Sequence, residues 1–255
     1  MPLYGRFEKS GRVFHGEVRG EEVLELDRSP VGRPPHPVAT HPLAALAILP
    51  PVEPSKLIAV GLNYADHAAE TKHEVPKEPL IFLKAPSSLL PHGGTVRIPY
   101  PEHRTDFEAE LAVVIGQKTL GVSEADALGH VFGITAAQDI SDRNIQREDR
   151  QWARAKSFDT FTPIGPFVRT DFDPRDLRVR QVQNGEVRQD SRTSQMIFPV
   201  AFLVHFISRH ITLLPGDVII TGTPSGIGPI RAGDELEVFI DGLEPLRNRV
   251  ENREP

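Results

Sequence analysis

The chain has 255 residues, of which 39% are apolar and 25% charged, and these proportions exclude wholesale disorder. A net charge of −6 argues against a general nucleic-acid binder, and the absence of cysteine excludes disulfides, zinc ribbons, iron–sulfur clusters and cysteine nucleophiles. The longest apolar run, residues 43–49, is too short to cross a membrane, and the first residues lack the apolar core of a signal peptide. We therefore expect a cytoplasmic protein that binds neither nucleic acid nor membrane.

Residues 1–54 are predicted to form a small β unit and a proline-rich connection. Residues 13–18 and 23–26 flank a glycine turn, a pattern typical of a β-hairpin. Prolines are frequent in the second half of this unit, where the apolar segment 43–49 is expected to form a short helix. The remaining residues, 55–255, are expected to form a second, larger domain.

The larger domain is expected to be mixed and mainly β, because short apolar segments predominate and no βαβ alternation is visible. Strands are expected at residues 57–61, 80–84, 107–116 and 131–140, with a hairpin around Asn184 and Gly185. Helices are expected at residues 63–71, after a capping box at 123–126, and at 141–155 and 199–210. Turns at 215–217 and 232–234 each precede an apolar strand. The polar residues 68–79 are predicted to be the most mobile stretch of this domain and to act as a lid.

Three carboxylates stand at strand ends and are candidate metal ligands. Glu108 and Glu110 are two apart in a predicted strand, so they share one face. Like charges side by side are unfavourable unless a cation bridges them, although a solvated strand end is an equal alternative. Asp139 closes the next apolar strand and either lines a site or caps the following helix. Three carboxylates without soft ligands would favour Mg²⁺ or Mn²⁺.

Further polar groups lie near these carboxylates in the sequence. His67 and Glu70 are neighbours on a predicted helix and could form a general base, or could be a chance surface pair. Arg143 and Gln146 could bind a substrate carboxylate or carbonyl, or could belong to a solvated helix face. Lys156 could neutralise an anionic substrate, although most single lysines face solvent. The glycine-rich turn at 221–228 lacks the lysine of a phosphate-binding loop and does not indicate a nucleotide site.

Taken together, six segments resemble the fumarylacetoacetate hydrolase family. In order they are VGLNYADHAAE (60–70), FEAELAVVIG (107–116), QDISDRNIQ (138–146), KSFDTF (156–161), TSQMIF (193–198) and GDVIITGTP (216–224). The resemblance spans residues 56–250 and implies a β-roll-like catalytic domain in a homodimer, preceded by the small accessory domain that many members carry. Leu62 and Asn63 stand where fumarylacetoacetate hydrolase itself has a further acidic ligand, which points to the shorter bacterial branch.

The resemblance also implies roles for individual residues, taken over position by position. Glu108, Glu110 and Asp139 match the Mg²⁺ or Mn²⁺ ligands. His67 and Glu70 match the catalytic pair, and Lys156 joins them in the active site. The residues that match substrate-binding positions are Lys156, Arg143, Gln146 and Thr223.

The expected substrates are small 2-oxo or 2-hydroxydienoic dicarboxylic acids, which react through a metal-stabilised enolate. The resemblance favours the group of 2-hydroxyhepta-2,4-diene-1,7-dioate isomerases and linked decarboxylases of aromatic catabolism. Acylpyruvate hydrolysis and oxaloacetate decarboxylation remain alternatives within the family. Two alternatives of another class are a dioate-binding protein without turnover and a β-rich binding module whose carboxylates have no joint role.

Overall fold

The structure, a computed structural model, describes residues 2–70 and 74–254. Within them the chain is mainly β, as predicted. The strands are β1 (Leu3–Lys9), β2 (Arg12–Arg19), β3 (Glu22–Leu26), β4 (Pro37–Pro42), β5 (Ala47–Leu49), β6 (Leu57–Gly61), β7 (Leu80–Lys84), β8 (Leu89–Leu90), β9 (Thr95–Ile98), β10 (Thr105–Phe107), β11 (Ala109–Ile115), β12 (Val131–Gln138), β13 (Ser141–Asp142), β14 (Thr162–Arg169), β15 (Arg178–Gln183), β16 (Glu186–Arg192), β17 (Val218–Ile220), β18 (Gly228–Pro229), β19 (Glu235–Ile240) and β20 (Leu246–Asn252). The α-helices are α1 (Ala65–Glu70), α2 (Arg143–Glu148), α3 (Ala153–Lys156) and α4 (Val200–His210). Single 3₁₀ turns cover Leu43–Ala45, Pro86–Ser88, Ala127–His130 and Thr193–Gln195.

The N-terminal strands extend the main sheet. β1 to β4 form an antiparallel meander that contains the predicted hairpin of β2 and β3, and β1 continues the sheet through β14. The helix predicted at residues 43–49 is wrong, because only Leu43–Ala45 make a 3₁₀ turn and β5 follows. β5 pairs with β1, so its backbone hydrogen bonds come from the neighbouring strand, while Ile48 packs on the phenylalanine-rich core of this unit. The domain boundary at residue 54 stays a prediction.

The central strands are buried on both faces. The sheet order runs β1-β14-β12-β11-β17-β6-β7, and the predicted strands at 57–61 and 80–84 are present at its end. Along β11, Leu111, Val113 and Ile115 enter one apolar cluster, whereas Ala112 and Val114 enter another. This alternation is the one expected of a strand, and burial of both faces explains why the segment is apolar throughout.

A second layer covers one face of this sheet. It consists of a five-stranded sheet in the order β16-β15-β19-β20-β9 and of α4, the helix predicted at 199–210. Leu203, Val204 and Ile207 of α4 join the same cluster as the odd-numbered side chains of β11. The predicted hairpin joins β15 and β16, and both turn residues, Asn184 and Gly185, have positive φ, as a tight hairpin turn of this kind requires. No helix of the described residues is long and apolar enough to span a membrane.

Four strand ends meet at one edge of the central sheet. Ala109 at the start of β11 pairs with Gln138 at the end of antiparallel β12, and Ala112 pairs with Ile220 at the end of antiparallel β17. Ile220 in turn pairs with Ala59 of the parallel strand β6. The loops that follow β6, β12 and β17 and the one that precedes β11 therefore converge, and they carry Glu108, Asp139 and Thr223.

The long helix predicted at residues 141–155 is wrong. Ser141 and Asp142 are extended and pair with β10, and two short helices follow with an interruption between them. The Asp142 carboxylate accepts hydrogen bonds from the backbone N–H groups of Asn144 and Ile145, so it caps α2 and ends the strand. As a result, α2 and α3 carry Arg143 and Lys156 to the site on separate elements.

Smaller differences concern the remaining segments. The strand predicted at 107–116 is interrupted at Glu108, between β10 and β11. Ser123 accepts a hydrogen bond from the N–H of Asp126 as a capping residue does, but a 3₁₀ turn follows it. α1 agrees with the helix predicted from residue 63. Residues 71–73 of the predicted lid lie outside the described residues, and the predicted mobility of 68–79 stays a prediction.

Asp217 ties the turn before β17 to the start of β6, and its substitution is expected to destabilise the fold. Its fully buried carboxylate accepts hydrogen bonds from Ser55 N–H (3.0 Å), Ser55 Oγ (2.7 Å) and Leu214 N–H (2.7 Å), and from the Lys56 ammonium. Because Asp217→Asn leaves buried donors without an anion, the free energy of unfolding should fall by about 3 kcal/mol in urea denaturation. Asp173→Asn, at an exposed ion pair, is the control and should change stability by less than about 0.5 kcal/mol. A loss below about 1 kcal/mol for Asp217→Asn would contradict this role.

Candidate active site

Three carboxylates form the centre of the site. Glu108 lies in the break before β11, Glu110 lies in β11, and Asp139 directly follows β12. Their side chains are buried, with 4%, 2% and 1% of each residue exposed, and one oxygen of each lies within 4.8 Å of the others. The convergence expected from the sequence is confirmed, and the alternative of a solvated strand end is wrong. Their role as metal ligands stays a prediction.

Two buried lysines contact the carboxylates. The Lys156 ammonium donates to Glu108 Oε2 (3.0 Å), Asp139 Oδ2 (2.5 Å) and Ser141 Oγ (2.7 Å). Lys84 donates to Asp139 Oδ1 at 2.5 Å and to the carbonyl of Phe161 at 2.9 Å. Lys156 is therefore not solvent-facing. The sequence did not indicate Lys84, because a lysine that closes an apolar strand normally reads as its solvated end.

Glu108 and Glu110 have opposite pKa shifts. Burial raises the pKa of Glu110 well above its ordinary value, and the charges of Asp139 and Glu108 raise it further. Burial also acts to raise the pKa of Glu108, but the charges of Lys156 and Arg143 outweigh it and hold that pKa below its usual range. The protein's own cations thus stabilise the charged form of Glu110 less than that of Glu108.

The donor set fits a hard divalent cation. It offers carboxylate oxygens without sulfur ligands, and repulsion among the three anions is the force that a bound cation relieves. Two of the three anions are contacted by the largely buried cations Lys84, Lys156 and Arg143, and Arg143 also pairs with the buried Asp106.

Two acidic residues hold Arg143 in place: Asp106 on β10 and Glu108 directly after β10. Its guanidinium donates to Asp106 Oδ2 (2.8 Å), Glu108 Oε1 (2.5 Å) and Gln146 Oε1 (2.7 Å). Asp106 is buried and also accepts a hydrogen bond from Arg104 at 2.8 Å. The pair predicted to bind substrate, Arg143 and Gln146, is thus brought to the site. Sequence reasoning assigned no role to Asp106, although its place two residues before Glu108 on a strand was a signal that it faces the same way.

His67 and Glu70 form the expected pair. His67 Nδ1 lies 3.2 Å from Glu70 Oε2, and Gly226 N–H donates to the other oxygen of Glu70 at 3.0 Å. With its proton on Nδ1, the ring has its basic lone pair on Nε2. His67 is buried, so the alternative of a surface histidine is wrong, while the catalytic role stays a prediction.

The glycine-rich turn after β17 donates backbone hydrogen bonds to two acidic residues, Glu110 and Glu70. Gly222 N–H donates to Glu110 Oε2 at 2.5 Å. Gly222 has a φ of 96°, and a Cβ there would lie 2.7 Å from the Cβ of Asn63, so this position requires glycine. The turn therefore positions Glu110 of the trio, and through Gly226 it also positions Glu70.

Thr223 reaches the site, but its hydroxyl is engaged. The hydroxyl donates to the carbonyl of Ala109 (2.9 Å) and accepts from Gln189 Nε2 (2.8 Å). In this arrangement it can accept a further hydrogen bond but cannot donate one. Gln189, which sequence reasoning missed, is buried and also accepts from Ala109 N–H at 3.0 Å, so it fixes β11 to the turn. Substrate binding by Thr223 stays a prediction.

All of the predicted site residues line one cavity of about 650 Å³. The volume lies within the range of sites for small organic ligands. Trp152 packs edge-on against Phe82 with ring centroids 5.4 Å apart and also lines the cavity. Gly61 makes room for it, since a Cβ there would lie 2.7 Å from the indole ring. Other lining residues are Leu62, Ile227, Arg104 and Arg147.

A buried carboxylate trio and a histidine–glutamate pair around one cavity define the site as that of an enzyme able to hold a divalent cation. Residues 56–251 match the family described as fumarylacetoacetate (FAA) hydrolase C-terminal, and the chain belongs to the fumarylacetoacetate hydrolase family. The family consists of metal-dependent isomerases, decarboxylases and hydrolases, and this chain is such an enzyme.

Three similar proteins illustrate this range. The crystal structure of a 2-hydroxyhepta-2,4-diene-1,7-dioate isomerase from Mycobacterium marinum is 38% identical with a TM-score of 0.92, and the match covers 100% of both chains. A mitochondrial oxaloacetate tautomerase of Xenopus laevis is 40% identical over 91% of this chain and 76% of the relative. A fumarylpyruvate hydrolase from Pseudomonas aeruginosa, solved with Mn²⁺ and pyruvate, is 32% identical with a TM-score of 0.73, over 80% of this chain and 91% of the other.

Proposed function

We propose that the chain is a Mg²⁺- or Mn²⁺-dependent isomerase of 2-hydroxydienoic dicarboxylic acids, with 2-hydroxyhepta-2,4-diene-1,7-dioate as its substrate. The observation that carries this proposal is the buried trio of Glu108, Glu110 and Asp139, which lines the same cavity as the pair of His67 and Glu70. The extensive similarity to the Mycobacterium marinum isomerase supports the choice of substrate.

Glu108, Glu110 and Asp139 would hold the cation, and Lys156 and Lys84 would keep the trio in place. When bound, the cation supplies Lewis-acid stabilisation of negative charge on the 2-oxygen and carboxylate of the substrate. Arg143 Nη2 lies 2.5 Å from Glu108 Oε1, so the guanidinium would lie next to the substrate carboxylate.

His67 would move the proton. Isomerisation of the dienol removes the proton on the 2-oxygen and adds one at carbon 5, so that a 2-oxo-3-enoate results and the proton count is unchanged. Glu70 accepts the hydrogen bond from Nδ1 and thereby raises the basicity of Nε2, the nitrogen that would carry the proton. The cavity wall near Trp152 and Ile227 would contact the hydrocarbon part of the substrate and keep water away.

A panel of substrates tests the proposal. Protein freed of metal with a chelator and reloaded with Mg²⁺ or Mn²⁺ should consume 2-hydroxyhepta-2,4-dienedioate, seen as loss of the dienol absorbance. Oxaloacetate and acetylpyruvate should react at least about 10-fold more slowly in kcat/KM, since the proposed site is matched to a longer dioate. Metal-free protein should be inactive with all three.

Other outcomes would replace the proposal. Faster release of pyruvate from acetylpyruvate would make the chain an acylpyruvate hydrolase, and faster loss of oxaloacetate would make it a decarboxylase or tautomerase. Tight binding of the dioate without turnover would indicate a binding protein. The homodimer implied by the resemblance stays a prediction and can be read from light scattering of the same preparation.

A further inference from the structure

Arg147 lines the cavity but has no role in the proposed chemistry. Arg147 lies four residues after Arg143 on α2, so both side chains lie on the same face of the helix. Their Cβ atoms are about 6 Å apart in this geometry. Arg143 is largely buried against Glu108, whereas Arg147 is exposed and therefore lies farther from the trio. The two arginines mark an inner and an outer point along one wall of the cavity.

The guanidinium of Arg147 has no acidic partner among the described residues. Within residues 2–70 and 74–254 no carboxylate lies within ion-pair distance of its guanidinium, and its recorded side-chain hydrogen bond is to the neutral Asn144 Oδ1 at 3.3 Å. Arg104 and Arg143, the other arginines of the cavity, both donate to Asp106. An unpaired guanidinium at the outer part of a cavity is suited to bind an anionic group of a ligand.

We infer that Arg147 binds the distal carboxylate of the substrate and thereby selects dicarboxylic over monocarboxylic 2-oxo acids. The inference rests on the proposed function, in which the first carboxylate lies at the trio. With carbon–carbon bonds of about 1.5 Å, the carboxyl carbons of an extended seven-carbon dioate are roughly 7–8 Å apart, against roughly 4 Å in a four-carbon dioate. The spacing of about 6 Å between Arg143 and Arg147 exceeds the span of the four-carbon dioate, and the long arginine side chains can cover the remaining distance of roughly 1–2 Å to the seven-carbon one.

The wall residues agree with this placement. Leu62, Trp152 and Ile227 line the same cavity and offer apolar contact to the uncharged middle of such a chain. Glu70, which also lines the cavity, is hydrogen-bonded to His67 and to Gly226 N–H, so its charge is partly satisfied. The cavity therefore combines the arginines Arg143 and Arg147 with apolar wall residues.

The test compares two ligands that differ only in the distal carboxylate. Binding of 2-oxoheptanedioate and of 2-oxoheptanoate to the Mg²⁺-loaded protein is measured by calorimetry, with oxalate as a reference for the inner end. The wild-type protein should bind the dioate at least about 10-fold more tightly than the monoacid. Arg147→Gln should lose about 10-fold or more for the dioate and less than about 2-fold for 2-oxoheptanoate and oxalate, and Arg147→Lys should retain part of the preference.

Arg150→Gln is the matched control, because Arg150 is an exposed arginine of the same segment that does not line the cavity. It should leave all three affinities within about 2-fold of the wild type. Equal losses for Arg147→Gln and Arg150→Gln, or equal losses for dioate and monoacid, would overturn the inference while leaving the proposed function intact. Absence of Mg²⁺-dependent binding of oxalate and of both 2-oxo acids by the wild type would instead overturn the proposed function, and the inference with it.

Discussion

Replacement of Glu110 by Gln is expected to abolish tight binding of Mg²⁺ or Mn²⁺ and to lower kcat/KM by about 10³-fold or more. Glutamine keeps a carbonyl oxygen for the hydrogen bond from Gly222 N–H, which is 2.5 Å long, but it removes one of the three anions of the trio. Glu110 is also the member of the trio without a hydrogen bond from Lys156, so its charge is the one most available to a metal ion.

The measurement is a Mn²⁺ titration by calorimetry, together with the rise in melting temperature that saturating metal produces. Glu110→Gln should unfold near the temperature of metal-free wild type and should gain nothing from added metal. Glu25→Gln is the control, because Glu25 is another buried carboxylate, bound to Arg12 at 2.5 Å in the N-terminal unit. That variant should be less stable and keep its metal affinity. Metal affinity of Glu110→Gln within about 3-fold of wild type would show that the metal binds elsewhere.

His67→Ala is expected to lower kcat by about 10² to 10⁴-fold and to leave the inhibition constant of oxalate nearly unchanged. The reason is that His67 is proposed to transfer a proton, whereas the metal ion, Lys156 and Arg143 would hold an anionic ligand in the ground state. Oxalate has no carbon that can accept a proton, so its binding reports only this inner end of the cavity.

Steady-state kinetics and oxalate inhibition should be measured side by side for His67→Ala and for His130→Ala. His130 is hydrogen-bonded to Thr119 Oγ1 at 2.8 Å and does not line the cavity, so its loss should affect neither quantity. An unchanged kcat in His67→Ala would remove this residue from the mechanism. A loss of oxalate binding as large as the loss of kcat would make His67 a substrate-binding residue instead.

The strands that carry the site could be predicted because their signals are local. Alternation along residues 109–115 places neighbouring side chains on opposite faces, and the apolar run indicated burial on both. Turn chemistry likewise located the hairpin at Asn184 and Gly185, since both need positive φ. Local spacing also brought Glu108 to the same side as Glu110, and His67 to within reach of Glu70.

Segments whose conformation depends on a distant partner were predicted wrongly. Residues 43–49 have a composition that allows a helix, but β5 forms there because β1 offers an open edge. Residues 141–155 are polar enough for one helix, but Ser141 and Asp142 are extended because they pair with β10. In both cases the competing hydrogen bonds come from residues that are far away along the chain.

The residues that hold the site in place were decided by tertiary structure alone. The position of Lys84 at the end of an apolar strand predicts a solvated side chain. Its Nζ nevertheless lies 2.5 Å from Oδ1 of Asp139, which is 55 residues later in the chain. The place of Gln189 in a hairpin predicts no particular role, but its side-chain amide donates a hydrogen bond to Thr223 Oγ1. The sequence determined which chemical groups are present and which of them share a strand face or a helix turn. Their mutual distances depend on strand order, because the start of β11 and the ends of β12, β17 and β6 meet only when the sheet has formed, and burial then makes each of their charges require a partner.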